Sequence, residues 1–180
     1  SNLSLNWNYT LGRSGSHSFD YNAYLRGLDV DSYGNVYLAA TVPNSQIGNF
    51  TQSWANTNYG TIIRVNATSH EVDWVDWPGH TQASNGYEYS TGDTYSVTIA
   101  PNGNIAITGQ IDSANDYTFG NITKYLDNGN SGSRTYYIGV LDANHEWIHI
   151  QSLSTYNTDS ISGFEYDGNE IWLPWATDSG

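Results

Sequence analysis

The sequence predicts an all-β fold built from repeated four-stranded antiparallel units, and three observations predict it. A hairpin pattern recurs as GLDVDSYGNVYLAA from Gly27 to Ala40, TYSVTIAPNGNIAITG from Thr94 to Gly109, and SISGFEYDGNEIWLPW from Ser160 to Trp175. The turn glycines Gly34, Gly103 and Gly168 lie about 65 to 70 residues apart, the period of a repeated supersecondary block. A second kind of hairpin, Thr61 to Trp77, recurs from Tyr136 to Leu153 and keeps a valine (Val65, Val140) and a His-Glu pair (His70-Glu71, His145-Glu146). The third observation is composition. Fifteen Tyr, eighteen Gly and no Met suit strands and turns, because aromatic and β-branched residues fit a pleated surface and Gly and Asn accept positive φ.

Taken in order, Leu5, Trp7, Tyr9 and Leu11 alternate with polar residues up to Gly12, the period of a half-buried strand. Residues 13–24 read as a long loop into the first hairpin. There Leu28 and Val30 face one way, matched by Val36 and Leu38 after a turn supplied by Gly34 and Asn35. Residues 41–60 read as another long loop. The hairpin 61–77 follows and Pro78-Gly79 ends it. Next come a polar loop from His80 to Asp93, the hairpin around Gly103, a loop from Gln110 to Arg134, the hairpin 136–153, and the hairpin around Gly168. With strands lettered A to D within a unit, the chain runs D, A, B, C, D, A, B, C, D, A, B. The units are about 24–79, 93–154 and 159–180, preceded by an N-terminal strand over 3–12. The short A–B and C–D turns emerge at one end of such a meander and the long loops at the other. Any specificity is therefore expected at the long-loop end.

Eighteen acidic residues against five basic ones give a formal charge of −13. Arg13, Arg26, Arg64, Lys124 and Arg134 are scattered, whereas a phosphate backbone needs clustered cations, so no nucleic-acid partner is expected, nor an anionic membrane surface. No apolar run approaches the roughly 20 residues of a membrane helix. The start at Ser1 lacks the charged and apolar regions of a signal peptide. Absence of Met suggests a processed or excised piece, and absence of Cys excludes a disulfide-stabilised scaffold. The acidic, Asn-rich, Lys-poor balance points to an extracellular or cell-surface setting.

Four-stranded units repeated in series resemble a β-propeller, with about two and a half to three blades in this chain. GLDVDSYGNVYLAA, followed by a loop, GTIIRVN and a strand such as LNWNYTLG, is similar to the bacterial and archaeal β-propeller repeat family abbreviated SBBP. The second pass departs from it with Ala100-Pro101-Asn102, and the third with an extra residue between Gly168 and Ile171. The resemblance implies an extracellular repeat protein, often part of an adhesin-like chain, without a common enzymatic activity. Because the chain begins on a D strand and stops after a B strand, two expectations follow: it is a piece of a longer repeat array, or other copies of itself complete it in a fibre. Another all-β fold such as a sandwich is the alternative.

His70-Glu71 and His145-Glu146 lie on successive units, too far apart to share an ion, and read as solvated turn residues; His17, His80 and His149 lack partners at ligand spacing. No metal centre is expected. Asp29-Val30-Asp31 with Gly34 begins like a calcium loop but lacks its distal carboxylates, and strand alternation explains it, with calcium in the acidic loops left open. Asp20, Glu88, Asp93 and Asp159 could converge at one mouth as glycosidase carboxylates, yet no spacing identifies an acid and a base. A non-enzymatic role is therefore expected, with a glycoside-active enzyme as the third choice.

For glycan binding, the runner-up, the expected residues are Tyr21, Tyr24, Trp54, Tyr59, Tyr87, Tyr89 and Tyr117 in or beside the long loops, with Asp93 and Asp159; packing between units would use the same aromatics. Trp7, Trp74, Trp77, Trp147, Trp172 and Trp175 fall in strands and read as core or inter-unit contacts. Glycosylation triplets start at Asn2, Asn8, Asn49, Asn66 and Asn121. About four would arise by chance, so their number carries no weight.

Overall fold

The computed structural model describes residues 24–43, 46–51, 58–82, 88–90, 92–111, 115–126, 135–153 and 163–173. The expected strand over 3–12 lies outside them. In chain order the strands are β1 (Tyr24–Val30), β2 (Val36–Pro43), β3 (Gln46–Ile47), β4 (Phe50–Thr51), β5 (Asn58–Val65), β6 (Val72–Asp76), β7 (His80–Gln82) and β8 (Glu88–Ser90). They continue as β9 (Thr94–Ile99), β10 (Ile105–Ile111), β11 (Asn115–Phe119), β12 (Ile122–Leu126), β13 (Thr135–Leu141), β14 (Trp147–Leu153), β15 (Glu165–Tyr166) and β16 (Ile171–Trp172). All the pairings are antiparallel and no helix occurs among the described residues.

The first unit is the meander β1-β2-β5-β6 and the second the meander β9-β10-β13-β14, the strand order expected from the two hairpin types. Leu28 lies opposite Leu38 and Val30 opposite Val36, so the expected register holds. Residues one strand position away, Tyr37, Ala39 and Ile62, share a core with Val97, Ile105, Ile107, Leu141, Trp147 and Ile150 of the second unit. The two sheets thus bury facing surfaces against each other. Ala100, Ala106 and Val140 of the second unit likewise pack on Phe164 and Tyr166 beside the hairpin β15-β16. The described strands form open four- and two-stranded sheets, with no closed barrel or propeller among them.

Three stretches expected to be loops contain strands: residues 41–60 hold the end of β2, the short hairpin β3-β4 and the start of β5, and two more stretches form a separate sheet. β7 and β8 from the His80 to Asp93 stretch join β11 and β12 from the Gln110 to Arg134 stretch in a four-stranded sheet, ordered β12-β11-β7-β8. Tyr117, Phe119 and Leu126 from it enter the core between the units. Alternation over Tyr117 and Phe119 and a Gly120-Asn121 turn, with Gly120 at φ +53°, were the local signals. A strand of five residues with two buried side chains gives too weak a period to stand out from its polar neighbours.

The third hairpin also departs from the glycine repeat. Gly34 and Gly103 both hold φ +85° at the fourth position of five-residue loops, bounded by the pairs Val30/Val36 and Ile99/Ile105. Gly168, at φ +101°, is second in a four-residue loop bounded by Tyr166 and Ile171. The strands repeat, but this turn does not.

Candidate functional site

Matching irregularities shape the long-loop end of the junction between the units. Pairing steps from Leu25/Ala40 to Gly27/Ala39 in the first unit, and from Thr94/Gly109 to Ser96/Thr108 in the second. Arg26 and Tyr95 are therefore the extra residues of bulges at corresponding places, and a bulge re-aims the side chain it carries. Arg26 Nη2 lies 3.0 Å from Asp93 Oδ2, and its guanidinium sits 5.1 Å from the ring centres of both Tyr24 and Tyr95. Thr41 Oγ1 donates to Asp93 Oδ1 at 2.7 Å, and Tyr95 donates its hydroxyl proton to Gln110 Oε1 at 2.7 Å.

Two of the residues expected to bind glycans, Tyr24 and Asp93, thus come together through Arg26. Tyr117 does not join them. It is fully buried on β11, so its ring has no face for a sugar, which corrects its placement at a loop. Tyr59 and Tyr89 belong to β5 and β8, with Glu88 also on β8. Asp20, Tyr21, Trp54, Tyr87 and Asp159 lie outside the described residues. Sequence reasoning missed Thr41, Tyr95 and Gln110, and saw Arg26 only as a scattered cation. Aligning the two units would have paired Arg26 with Tyr95, but the bulges that turn them outward exist only in the folded sheets.

Asp93 is committed on both oxygens to cation and hydroxyl partners, an arrangement that holds a junction rather than relays protons. Asp29 and Asp31 are committed too. Asp29 accepts from Val30 N at 2.8 Å and, across the junction, from Ile99 N at 2.6 Å. Asp31 accepts from Tyr33 N, Asn35 N and Asn35 Nδ2. Asp142 and Asp167 make the same kind of turn, and the backbone N–H donors of Glu146 and Glu170 respectively are the main cause that holds each carboxyl below its ordinary range. No group of three or more potential metal ligands occurs among the described residues.

The two matched histidines differ. Both take positive φ, 58° at His70 and 66° at His145, in β5–β6 and β13–β14 turns that lead into bulges at Asp73 and Ile148 on the return strands. His70 is exposed, whereas His145 is half-buried in the first unit, which corrects its reading as a solvated turn residue. Its ring stacks on Trp74 at 4.3 Å between centroids, and its Nε2 is 3.0 Å from Tyr37 Oη. Burial lowers its pKa from the ordinary 6.5, and Arg64 lowers it further against the opposing pull of Asp73, Asp142 and Asp31. A depressed histidine contributes stability that is full above about pH 6.5 and is lost as pH falls through the folded value. His145→Asn keeps a residue tolerant of positive φ. We expect urea midpoints of the wild type to fall more steeply than those of this variant below about pH 6.5. Parallel curves would contradict the assignment.

Among the glycosylation candidates, Asn49 and Asn121 are exposed in turns. Asn66 is less available, since its Nδ2 donates to Asp73 Oδ2 at 2.9 Å and its Oδ1 accepts from Thr68 N and Ser69 N. Asn2 and Asn8 lie outside the described residues. Trp74 and Trp147 take the inter-unit positions expected of them, while Trp172 stands half exposed.

A cleft of about 440 Å³ opens at the short-turn end, where no specificity was expected. Its walls are the β1–β2 turn with Val30 and Tyr33, and the β9–β10 turn with Ile99, Pro101 and Asn102; Tyr37 and Arg64 also line it. Tyr37 and Arg64 are directly paired neighbours on β2 and β5, and Arg64 is paired in turn with Trp74 on β6.

Compared with known proteins, the chain matches no family model, no curated protein and no solved structure.

Proposed function

We propose that the chain is a non-enzymatic, extracellular structural or adhesive repeat protein whose units pack in series as a β-propeller-type array. The observation that carries this reading is the use of matched side chains as ties between consecutive units. Asp29 accepts the amide proton of Ile99, and Thr98, at the corresponding place one unit later, donates through Oγ1 to Phe164 O at 3.1 Å. Gly27 supports it, because a Cβ there would sit 3.0 Å from Ser96 Cα, so β1 and β9 approach closely enough that any side chain there would press on the backbone of the next unit. The likeness to SBBP repeats supports the same reading, including assembly with further repeats or other copies in a fibre.

Sedimentation across a concentration series, followed by electron microscopy, tests the assembly. Concentration-dependent polymers are expected, and one monomeric species throughout would sink the fibre role. Asp93→Asn should leave any residual hydrolysis of chromogenic glycosides unchanged.

Glycan binding at the long-loop end is the second reading, favoured by the partly exposed Tyr24 beside Asp93. A glycan-array signal lost in Tyr24→Ala, Trp54→Ala and Tyr87→Ala would place it ahead of the scaffold role.

A further inference from the structure

The cleft at the short-turn end has the makings of a ligand site, and its one cation is poorly compensated. Asp31 spends its carboxylate on its own turn, as described. Asn35 is buried, with its Oδ1 accepting from Ala67 N and its Nδ2 donating to Asp31. Asn102 Oδ1 accepts from Asn104 N. Arg64 differs. Its side chain is about a quarter exposed, its buried Nε has no hydrogen-bond partner, and its ion pair with Asp73 is long at 3.7 Å. A partly desolvated guanidinium with so little compensation is left short of acceptors.

The rest of the lining is mixed, with Val30, Ile99, Ala100, Pro101 and Ala143 set among the polar Asp31, Ser32, Asn35 and Asn102. Tyr33 stands on the rim, 85 % exposed. A volume of about 440 Å³ falls within the range of small-molecule sites. We propose that this cleft binds a small ring-bodied monocarboxylate of the uronic-acid sugar class, its carboxylate on the Arg64 guanidinium and its ring against Tyr33. One cation, paired with Asp73 and sharing the cleft with Asp31 in a chain of net charge −13, favours a single negative charge over a phosphate dianion. An exposed tyrosine suits the face of a sugar ring, and polar side chains among apolar ones suit its hydroxyl-bearing edges. The site is separate from the long-loop cluster and does not rest on the scaffold reading.

Titration of D-glucuronate into the ¹⁵N-labelled full chain tests it, with D-glucose and acetate as comparison probes. Saturable amide shifts are expected at residues 31–35, 100, 102, 103 and 143 with glucuronate, and much weaker ones with either comparison probe. Arg64→Gln should weaken binding by roughly tenfold or more. Tyr33→Ala, at a position too exposed to threaten folding, should weaken it several-fold. Four results would overturn the proposal: no saturable shift with glucuronate, equal binding of glucose or acetate, shifts centred on Tyr24 and Asp93, or unaltered affinity in both variants. Because polymerisation is read separately, failure here leaves the scaffold proposal standing, and the converse also holds.

Discussion

Trp147→Ala is expected to remove about 3–5 kcal/mol of stability, the range for emptying a buried indole, and so most of what a typical domain has. Trp147 is 5 % exposed and its ring lies edge-on to Phe119, with 5.2 Å between centroids. It fills the space over Gly139, where a Cβ would collide with the indole. Its Nε1 also donates to Asp76 Oδ2 at 2.7 Å, so one side chain from β14 joins the second unit's core to the last strand of the first. Urea unfolding followed by circular dichroism would measure the loss. A change under about 1 kcal/mol would mean that the indole does not occupy this junction.

Trp147→Phe separates packing from the hydrogen bond. Burial raises the pKa of Asp76, while the bonds from Trp147 Nε1 and Trp77 N and the neighbouring His80 pull it down. A raised carboxyl contributes stability that is full below its ordinary value of 3.8 and is lost as pH rises through the folded value. Removing the indole N–H raises the folded pKa further and leaves a buried carboxylate short of a donor. The phenylalanine variant should therefore lose more stability at pH 7 than near pH 4, and a penalty independent of pH would contradict the role given to this bond.

The second large effect is expected at Gly60. A Cβ there would meet Thr94 Oγ1, and would stand 2.6 Å from Gly92 O and 2.8 Å from Thr94 N. The amide of Gly60 already donates to Gly92 O at 2.6 Å, so β5 is held against the entrance to the second unit. Two of the obstructing atoms are backbone, which cannot rotate away. Gly60→Ala should cost about 1–3 kcal/mol by forcing the strands apart, and Gly60→Val more. Thermal midpoints check this, and an alanine variant as stable as the wild type would show that the close approach is not maintained in solution.

Much of the fold was legible because its evidence is local. Leu28, Val30, Val36 and Leu38 state their register through alternation and a Gly-Asn turn, all within a dozen residues. The Asn-rich and Asp-rich turns need only their own side chains and amides. The candidate sites were far less legible. Tyr24 and Asp93 were named from composition and position, yet what brings them together is Arg26, raised out of β1 by a bulge. The same reasoning misplaced Tyr117, whose burial depends on sheet pairing with distant residues.

By itself the sequence determined the repeated hairpins and their strand order, because alternation and turn chemistry act between near neighbours. Tertiary structure alone decided that β7 and β8 pair with β11 and β12 and that His145 wedges between Trp74 and Tyr37. It also decided that Arg64 faces a cleft. Those outcomes depend on which surfaces meet when two sheets pack, and residues some 70 positions apart share no local signal that announces the meeting.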